Sequence, residues 1–280
     1  MKNVLIIGES SYIGKSFAEY AKDSFNISTV GSRSGEWKAV DFSKYDSVLH
    51  CAGIAHVSQK KDMKALYYAV NCDLAAEVAC AAKSAGVRQF VFLSSMLVYG
   101  KSDRQISIKT PPNPESFYGD SKLQAEKKLS LLADDDFKVC IIRPPMVYGR
   151  DCKGNFPRLV SLAKRTPLFP DIKNKRSMIY IENLCACIKH LIKTEKKGTY
   201  LPQNKKHVNT TDLVRVIAKI HGKKMRTTKL FNPLIKASAI FLPPVNKLFG
   251  DLAYAPSDFD KSYPQIDFEE TIRRAIGKNK

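Results

Sequence analysis

The sequence lacks an apolar run long enough to cross a bilayer. The most apolar late stretch, 237–245, is far shorter than a membrane span and contains Pro243-Pro244. We expect this stretch to be a buried helix end, with weak association with a surface as the alternative. Near the start, Gly8 stops the apolar run of MKNVLIIGES too early for a signal peptide. These absences predict a cytoplasmic protein without a transmembrane segment.

Cysteine pairs are also missing. The chain has seven cysteines, an odd number, without the CxxC pairs or histidine partners that are typical of a zinc site. Several of them lie inside apolar runs, as core residues do. We therefore expect reduced thiols and no bound metal. The seven are Cys51, Cys72, Cys80, Cys140, Cys152, Cys185 and Cys187.

Acidic residues are scarce, because 27 Asp and Glu stand against 46 Lys and Arg and leave a formal net charge of +19. A surplus of this size favours anionic partners such as a phosphorylated small molecule, an anionic lipid or nucleic acid. The basic residues occur in short scattered clusters rather than in one stripe with interleaved aromatics. Nucleic-acid binding is therefore not expected.

The first half of the sequence contains a regular alternation of strands and helices. Short apolar runs without polar alternation are typical of parallel strands that are buried on both faces. The pattern predicts an α/β fold with a doubly wound parallel sheet of the Rossmann type, to which the last two strands return. Predicted strands are 4–7, 27–30, 47–51, 90–94, 139–142, 178–181 and 198–201, and predicted helices are 13–22, 66–85 and 118–132.

The regular pattern ends after Gly149. Residues 151–177 are rich in Pro, Lys and Arg and lack a strand–helix rhythm. We predict that 1–150 and about 178–204 form a dinucleotide-binding domain. The remaining segments, 151–177 and 205–280, are expected to form a small, mostly helical C-terminal lobe that binds the substrate.

A glycine-rich turn joins the first strand to the first helix and reads GESSYIG. Such a turn lets backbone N–H groups approach a pyrophosphate, which the helix N-terminus then stabilises. Relative to the pattern GxxGxxG, the middle glycine is Ser11. The position after a strand and before a helix predicts a dinucleotide site at Gly8, Ser10, Ser11, Tyr12, Ile13 and Gly14.

The end of the second strand carries no acid and reads VGSRS from Val30 to Ser34. NAD sites commonly place an acidic residue there for the ribose 2′-hydroxyl, whereas a basic residue accepts the 2′-phosphate of NADP. Ser32 and Arg33 therefore favour NADP(H), with NAD(H) as the alternative.

Three residues, Ser95, Tyr118 and Lys122, predict the chemistry, and we call them the trio. Ser95 follows the strand 90–94, at the edge where ligands bind in open parallel sheets. Tyr118 and Lys122 are four residues apart on a helix and so share a face. The lysine ammonium, together with a nicotinamide cation, is expected to lower the pKa of Tyr118 from about 10. The trio is typical of a nicotinamide-dependent oxidoreductase in which Tyr118 exchanges a proton with the substrate.

Together these features resemble the short-chain dehydrogenase/reductase family, specifically its extended branch of nucleotide-sugar epimerases, dehydratases and reductases. The resemblance covers nearly the whole chain. Besides GxxSxxG and YxxxK, it rests on HCAG at 50–53, Asn71, SSMLVYG at 94–100, RPPMVYG at 143–149, GNF at 154–156 and RSMIYIEN at 176–183.

The resemblance implies a homodimer that uses NAD(P)(H), binds a UDP-sugar and serves nucleotide-sugar metabolism, such as the synthesis of a surface polysaccharide. Arg176 suits the uridine diphosphate because a guanidinium binds phosphate oxygens in pairs. Further cofactor contacts are implied at Asp41, Phe42, Cys51, Ala52, Gly53, Asn71, Tyr118, Lys122 and Pro144. Substrate contacts are implied at Ser94, Ser95, Tyr118, Asn155 and Arg176.

Departures from the family's patterns narrow the expected reaction. Dehydratases carry acidic residues where this chain has Met96 and Leu97, so dehydration is not expected. Many 4-epimerases carry polar residues where Leu97 and Met146 stand. These differences favour a ketoreductase that acts at C4 of a UDP-4-keto-6-deoxy-hexosamine, with a 4-epimerase of UDP-glucose or UDP-GlcNAc as the alternative. A catalytically retired NADP(H)-binding sensor is the alternative from another class, and the complete trio disfavours it.

Overall fold

Six parallel strands form the central sheet of the computed structural model, which describes residues 1–55, 61–100, 105–241, 245, 248–256 and 262–277. The sheet has the order β2-β1-β3-β4-β5-β9, and every neighbouring pair is parallel. The predicted doubly wound parallel sheet is therefore confirmed. The described strands are β1 (Lys2–Ile7), β2 (Phe25–Val30), β3 (Ser47–His50), β4 (Gln89–Leu93), β5 (Lys138–Ile142), β6 (Met146–Tyr148), β7 (Leu168–Pro170), β8 (Met178–Tyr180), β9 (Gly198–Tyr200) and β10 (Arg226–Thr228).

Helices cover both faces of this sheet. In β1, Val4 and Ile6 pack with helices α1 and α6, whereas Leu5 and Ile7 pack with α3 and α4. Alternate residues of a strand point to opposite faces, so a strand that is apolar throughout needs cover on both sides. The described α-helices are α1 (Tyr12–Ala21), α2 (Lys64–Tyr68), α3 (Leu74–Ser84), α4 (Phe117–Leu132), α5 (Asn155–Arg165), α6 (Ile181–Lys193), α7 (Thr210–Ile220), α8 (Asn232–Phe241) and α9 (Phe268–Ala275).

The long helix predicted over 66–85 forms as three joined pieces, which are α2, a π-helical turn over Ala69–Asp73, and α3. Single π turns inside helices occur frequently at functional sites. Asn71 lies in this turn and is fully buried. The turn thereby places a polar side chain in the packed layer between α3 and α4.

One predicted strand lies elsewhere than expected. We expected 178–181 to return to the main sheet, but β8 pairs in parallel with β6 in a separate two-stranded sheet, and only β9 joins the main sheet beside β5. Pro144-Pro145 follows β5 and cannot donate to a ladder, so the chain leaves the main sheet there and forms β6. A run of three apolar residues fits a strand of either sheet, so the apolar pattern could not predict which sheet β8 joins. Residues 151–177 also contain α5 and β7, which were not expected.

The C-terminal lobe packs directly on this framework. A continuous cluster of buried apolar side chains runs from the sheet into α5, α7 and α9, and includes Ile142, Leu159, Ile217 and Ile272. A second small sheet pairs β10 with β7. The division into a dinucleotide-binding domain and a substrate-binding lobe stays a prediction.

The described part of the apolar stretch 237–245 is not the buried helix end that we expected. Ala237 and Phe241 are exposed on α8, and Pro243-Pro244 lies outside the described residues. The helix is held at its first residue, where Asn232 Nδ2 donates to the carbonyl oxygen of Asp171 at 2.8 Å, while one of its sides stays in solvent. Within the described residues, no helix combines the length and the apolar character needed to cross a membrane.

Candidate active site

The turns after β1 and β3 approach each other closely at the carboxyl edge of the sheet. Gly8 has a φ of +105°, and a Cβ there would lie 2.8 Å from the backbone nitrogen of Ala52. A Cβ on Gly14 would lie 3.0 Å from the carbonyl oxygen of Gly8. Both positions need glycine, because a side chain would push the turn, the helix and the neighbouring loop apart. The strand order reverses between β1 and β3, which is the usual ligand crevice in such sheets.

Ser11, which replaces the middle glycine of the pattern, caps α1. Its hydroxyl oxygen accepts from Gly14 N at 3.4 Å, and its own N–H donates to Gly8 O at 2.9 Å. Ser10 is exposed beside it, and Tyr12 and Ile13 open the helix. The positive end of α1 therefore lies at this crevice, and the glycine cradle fits a pyrophosphate.

An acidic residue lies at the end of β2, although VGSRS contains none. Gly35 has a φ of +78° and turns the chain back, so that the Glu36 carboxylate contacts Gly31. Ser34 Oγ donates to Glu36 Oε1 at 2.5 Å. Of the two residues that favoured NADP(H), Ser32 is half-buried and Arg33 is exposed. The sequence-based prediction missed Glu36 because the segment after the strand supplies the acid.

Asp41 and Phe42, two of the implied cofactor contacts, are split between surface and core. Phe42 is buried in the apolar cluster that joins the sheet to α3. Asp41 is exposed and caps a short turn by accepting from Ser43 N at 3.2 Å and from Ser43 Oγ at 2.6 Å. These hydrogen bonds lower the pKa of Asp41. Only Asp41 of the pair is open to a ligand.

Asn71 fastens the loop after β3 to the helix that carries Tyr118. Its Oδ1 accepts from Ile54 N at 2.8 Å, and its Nδ2 donates to Ile54 O and to Ser121 Oγ, each at 3.1 Å. A Cβ on Gly53 would lie 2.9 Å from Asn71 Oδ1 and 3.2 Å from Lys122 Nζ. The cofactor contact of Asn71 stays a prediction, and the structure places its side chain next to Gly53 in the loop formed by Cys51, Ala52 and Gly53.

Ser95 and Tyr118 are hydrogen-bonded to each other. Ser95 follows β4, and its Oγ also accepts from Leu97 N at 3.2 Å. Tyr118 lies in the first turn of α4, where Ser116 Oγ accepts from Gly119 N at 3.0 Å. The carbonyl oxygen of Leu97 occupies the space that a Cβ on Gly119 would need. Gly119 therefore lets α4 approach the Ser95 loop, and its only signal in the sequence is its place inside YGDSK.

Lys122 is a buried cation with 4% of its surface exposed. Its Nζ donates to Leu93 O at 2.8 Å and lies 4.5 Å from the centre of the Phe92 ring. Burial lowers the pKa of Lys122 to about 8, whereas Cys51 and Glu126 act in the opposite direction. The spacing of Lys122 from Gly53 shows that this charge lies next to the loop after β3.

In the chain without a cofactor, the pKa of Tyr118 is raised rather than lowered. Burial raises it above its ordinary value near 10, and the opposing hydrogen bond from Ser95 is the smaller effect. The expected lowering by Lys122 together with a nicotinamide cation stays a prediction, because the raised pKa applies to the chain without that cation, with the ammonium donating to Leu93 O. Burial therefore disfavours the phenolate in the chain without a cofactor, and the charges of Lys122 and of a bound nicotinamide cation act against this effect.

A buried ion pair supports the site from behind. Arg143 donates from Nε to Glu126 Oε1 at 3.0 Å and from Nη1 to Tyr99 Oη at 2.6 Å, and its Nη2 binds Glu126 Oε2. Ser94 Oγ also donates to Glu126. We predicted a substrate contact for Ser94, but its hydroxyl is buried in this network. The pair joins α4 to the ends of β4 and β5, and nothing in the local sequence signalled it.

The residues that narrowed the expected reaction have different surroundings. Met96 is buried and its N–H donates to Pro144 O at 2.9 Å, so the predicted cofactor contact Pro144 is itself part of the packed framework. Leu97 is 43% exposed and Met146 is half-buried. Of the two residues that follow Ser95, only Leu97 is open to a ligand.

Asn155 and Arg176 lie in the lobe rather than on the main sheet. Asn155 is exposed at the first residue of α5, after Gly154, whose φ is +100°. Arg176 Nη1 donates to Gly250 O at 2.8 Å, and burial lowers the pKa of its guanidinium. Among the described residues, neither side chain is hydrogen-bonded to the trio.

The fold and these groups define a class of protein. A glycine cradle and a helix N-terminus meet where the strand order reverses, and a hydrogen-bonded serine and tyrosine with a buried lysine lie beside them. Such a molecule is a nicotinamide-dependent enzyme of the Rossmann type. No group of side chains in the part of the chain that the structure describes is arranged to hold a metal ion.

The chain belongs to the NAD dependent epimerase/dehydratase family, whose sequence profile matches residues 4–209. It is 36% identical over 227 residues to a UDP-glucose 4-epimerase of Vibrio cholerae, across 75% of this chain and 68% of that protein. It is 28% identical over 254 residues to the N-acetyl-alpha-D-glucosaminyl-diphospho-ditrans,octacis-undecaprenol 4-epimerase of Escherichia coli O157:H7, across 83% of this chain and 76% of that protein. The structure of RMD from Pseudomonas aeruginosa complexed with NADPH shares the fold, with a TM-score of 0.77 at 17% identity over 99% of both chains. The predicted family is therefore confirmed.

Proposed function

We propose that this enzyme is a 4-epimerase that acts at C4 of a sugar carried on a diphosphate. The observation that carries the proposal is the hydrogen-bonded pair of Ser95 and Tyr118 at the sheet edge, with buried Lys122 one turn further along α4. A hydroxyl, a phenol and an ammonium in this arrangement can hold one substrate oxygen and move one proton to or from it. Curated relatives whose names include 4-epimerase support the same reaction.

The chain's own residues supply the proton chemistry. A bound nicotinamide supplies the hydride acceptor and donor. Tyr118 takes the proton of the C4 hydroxyl as C4 is oxidised and returns it when C4 is reduced on the opposite face. Ser95 hydrogen-bonds the same oxygen and holds it beside the phenol. Lys122 lies in the buried interior, where its charge stabilises a phenolate more strongly than it would in water.

The lobe offers contacts for the diphosphate. Arg176 uses one N–H on Gly250 O, and its other N–H groups have no hydrogen bond among the described residues, so they are available to phosphate oxygens. Asn155 at the start of α5 adds a polar contact. The name of the Vibrio relative gives a nucleoside as the carrier of the sugar diphosphate, and the name of the Escherichia relative gives a polyprenol. Both are candidate carriers for the substrate of this enzyme.

We also propose that the cofactor is NAD(H) rather than the NADP(H) favoured by Ser32 and Arg33. The Glu36 carboxylate lies against Gly31 at the end of β2, where the ribose of a dinucleotide binds in this fold. A carboxylate there accepts a hydrogen bond from a 2′-hydroxyl and repels a 2′-phosphate. Arg33 and Glu36 are both exposed, and of the two only Glu36 lies against Gly31.

The reaction is tested by incubating the purified protein with UDP-glucose, UDP-GlcNAc and a 4-keto-6-deoxy UDP-sugar, with and without added NADPH. We expect the two 4-epimers of a sugar to interconvert without net consumption of reduced cofactor. Stoichiometric loss of NADPH with the keto sugar alone would contradict the 4-epimerase and support the second candidate.

The second candidate is a 4-ketoreductase of a UDP-4-keto-6-deoxy-hexosamine. It is favoured by the apolar residues Leu97 and Met146, because Leu97 is exposed beside Ser95 where many 4-epimerases carry a hydroxyl. Cofactor binding without turnover of any sugar would favour a retired binding protein instead.

The cofactor proposal has a binding test that does not depend on activity. Trp37, the single tryptophan, is buried next to Glu36, so its fluorescence reports on this site. We expect Glu36→Gln to raise the affinity for NADP(H) relative to NAD(H) by roughly tenfold, because one repulsive charge is removed. The matched control is Arg33→Gln. Selective loss of NADP(H) binding in that control would show that Arg33 selects the cofactor.

A further inference from the structure

A stripe of exposed apolar side chains runs along α8 and the turn before it. Leu230 is 78% exposed, Leu234 70% and Phe241 80%, and Phe231 and Ala237 are also exposed. Positions 234, 237 and 241 are spaced so that they share one side of α8, and Leu230 and Phe231 lie in the turn before it. We call Leu230, Phe231, Leu234, Ala237 and Phe241 the lobe face. A contiguous apolar surface of this kind marks an interaction site.

The lobe face is built on ordered structure. Leu230 N donates to Thr228 Oγ1 at 3.2 Å, and Asn232 Nδ2 donates to Asp171 O at 2.8 Å. Asp171 N in turn donates to Thr228 O at 2.8 Å, next to the pairing of β10 with β7. The start of α8, next to Leu230, Phe231 and Leu234, is therefore anchored to the lobe.

The surroundings of the lobe face are basic. Residues 222–250 contain no Asp or Glu, and their basic residues are Lys223, Lys224, Arg226, Lys229, Lys236 and Lys247. Lys223, Lys224, Arg226 and Lys229 are exposed. A second copy of the chain placed against this face would bring like charges together, which disfavours a self-interface.

We propose that the lobe face docks on the surface of an anionic phospholipid bilayer. The apolar side chains would enter the boundary between headgroups and acyl chains, while the flanking Lys and Arg contact lipid phosphates. The apolar stripe favours the boundary of the acyl chains, and the basic flank without acidic residues favours anionic headgroups. An anionic bilayer surface offers both together. Docking of this kind does not depend on which reaction the enzyme catalyses.

The position of the lobe face relates docking to the substrate, a point that rests on the proposed function. Asn232 binds the segment 171–176 at Asp171, and Arg176 at the end of that segment binds Gly250 O. Docking would therefore place the segment that carries Arg176 next to the helix that contacts the lipid surface. A sugar diphosphate with a membrane-bound carrier would meet the site there.

The test uses the 280-residue chain and vesicles of two compositions, phosphatidylcholine alone and phosphatidylcholine mixed with phosphatidylglycerol. Bound protein is measured by flotation. We expect binding to the mixed vesicles that weakens with added salt. Leu234→Ser with Phe241→Ser, and separately Lys223→Gln with Lys224→Gln and Lys229→Gln, should each weaken it by roughly tenfold or more. Leu131→Ser is the matched control, because Leu131 is 86% exposed on α4, outside the lobe face.

Equal vesicle binding by the wild type and both sets of variants would overturn the proposal, and so would no binding by the wild type. A concentration-dependent dimer in sedimentation that is lost in Leu234→Ser with Phe241→Ser, without vesicle binding, would show that the lobe face is a self-interface. Thermal unfolding of each variant checks the fold. Turnover of soluble UDP-sugars is measured in parallel, so that loss of docking and failure of the proposed reaction are told apart.

Discussion

Two regions of the molecule depart from the usual rule of burial in opposite directions. In the trio and directly behind it, Lys122, Glu126 and Arg143 are charged and at most 8% exposed. On the lobe face, Leu234 and Phe241 are apolar and at least 70% exposed. Folding by itself favours the reverse in both places. Each region therefore gives up stability. In our proposals, the first does so for the geometry of a reacting oxygen, and the second for contact with a lipid surface.

The two regions also differ in how many partners hold each side chain. Glu126 binds both Arg143 and Ser94, and Arg143 also binds Tyr99, so a change there affects three elements. Leu234 belongs to no described hydrophobic cluster of the core. Substitutions behind the trio should therefore change the whole protein, and substitutions on the lobe face should stay local.

The largest effect is expected for Tyr118→Phe. Removing the phenolic hydroxyl removes the group that exchanges a proton with the C4 oxygen, so kcat should fall by roughly 10²–10⁴-fold. Cofactor binding, followed by Trp37 fluorescence, should change little. Steady-state kinetics on the sugar nucleotide measure the effect, and an unchanged kcat would contradict the role of Tyr118.

The next largest effect is expected for Glu126→Gln. The substitution leaves the Arg143 charge buried without its counter-ion, which should lower the free energy of unfolding by about 3–5 kcal/mol. Equilibrium denaturation measures the change. As a control, Glu19→Gln breaks an exposed pair with Lys22 at 2.7 Å and should have no measurable effect. Similar results for the two variants would show that the buried pair of Glu126 and Arg143 contributes no more to stability than an exposed pair.

A smaller effect of opposite sign is expected for Lys122→Met. The pKa of Lys122 is about 8 in the folded chain and about 10.4 when unfolded. Between these values the unfolded chain holds a proton that the folded chain has released, so the free energy of unfolding rises with pH there. Below pH 8 the buried ammonium has its full cost.

Lys122→Met should therefore be more stable than the wild type at pH 7 by about 1–3 kcal/mol, with the difference shrinking as the pH rises above 8. Turnover should fall in the same variant. Denaturation at neutral and alkaline pH measures the first effect. A variant that is less stable at pH 7 would show that the contacts with Leu93 and Phe92 outweigh the cost of burial.

The smallest effect is expected for Leu234→Ser. Because Leu234 is exposed, the free energy of unfolding should change by less than about 0.5 kcal/mol. The matched comparison is Leu49→Ala in β3, which is fully buried and should cost about 2–5 kcal/mol. A loss of several kcal/mol in Leu234→Ser would show that the lobe face belongs to the folded core.

Sequence patterns predicted the parts of the molecule whose signal is local. Ser95 is marked by its place at a strand end, and Tyr118 and Lys122 by their spacing on one helix. The fully apolar strands β1, β3, β4 and β5 predicted a sheet covered on both faces, as observed. By contrast, the partner of β8 could not be predicted, since three apolar residues fit either sheet.

The residues that were missed depend on contacts between distant segments. Gly119 is needed because Leu97, on a different element, comes close to it. Arg143 is separated by 17 residues from Glu126 and by 44 from Tyr99. Such pairs produce no periodic pattern in the sequence, because the residues next to each partner need not be of any particular type for the pair to form.

The sequence by itself therefore determined the α/β fold, the glycine turn and the trio, because each follows from strand ends, helical spacing and backbone freedom within a few residues. Only the tertiary structure decided the raised pKa of Tyr118, the carboxylate of Glu36 at the end of β2 and the exposure of the lobe face. Burial and the approach of distant groups set these properties, and both exist only once the chain has packed.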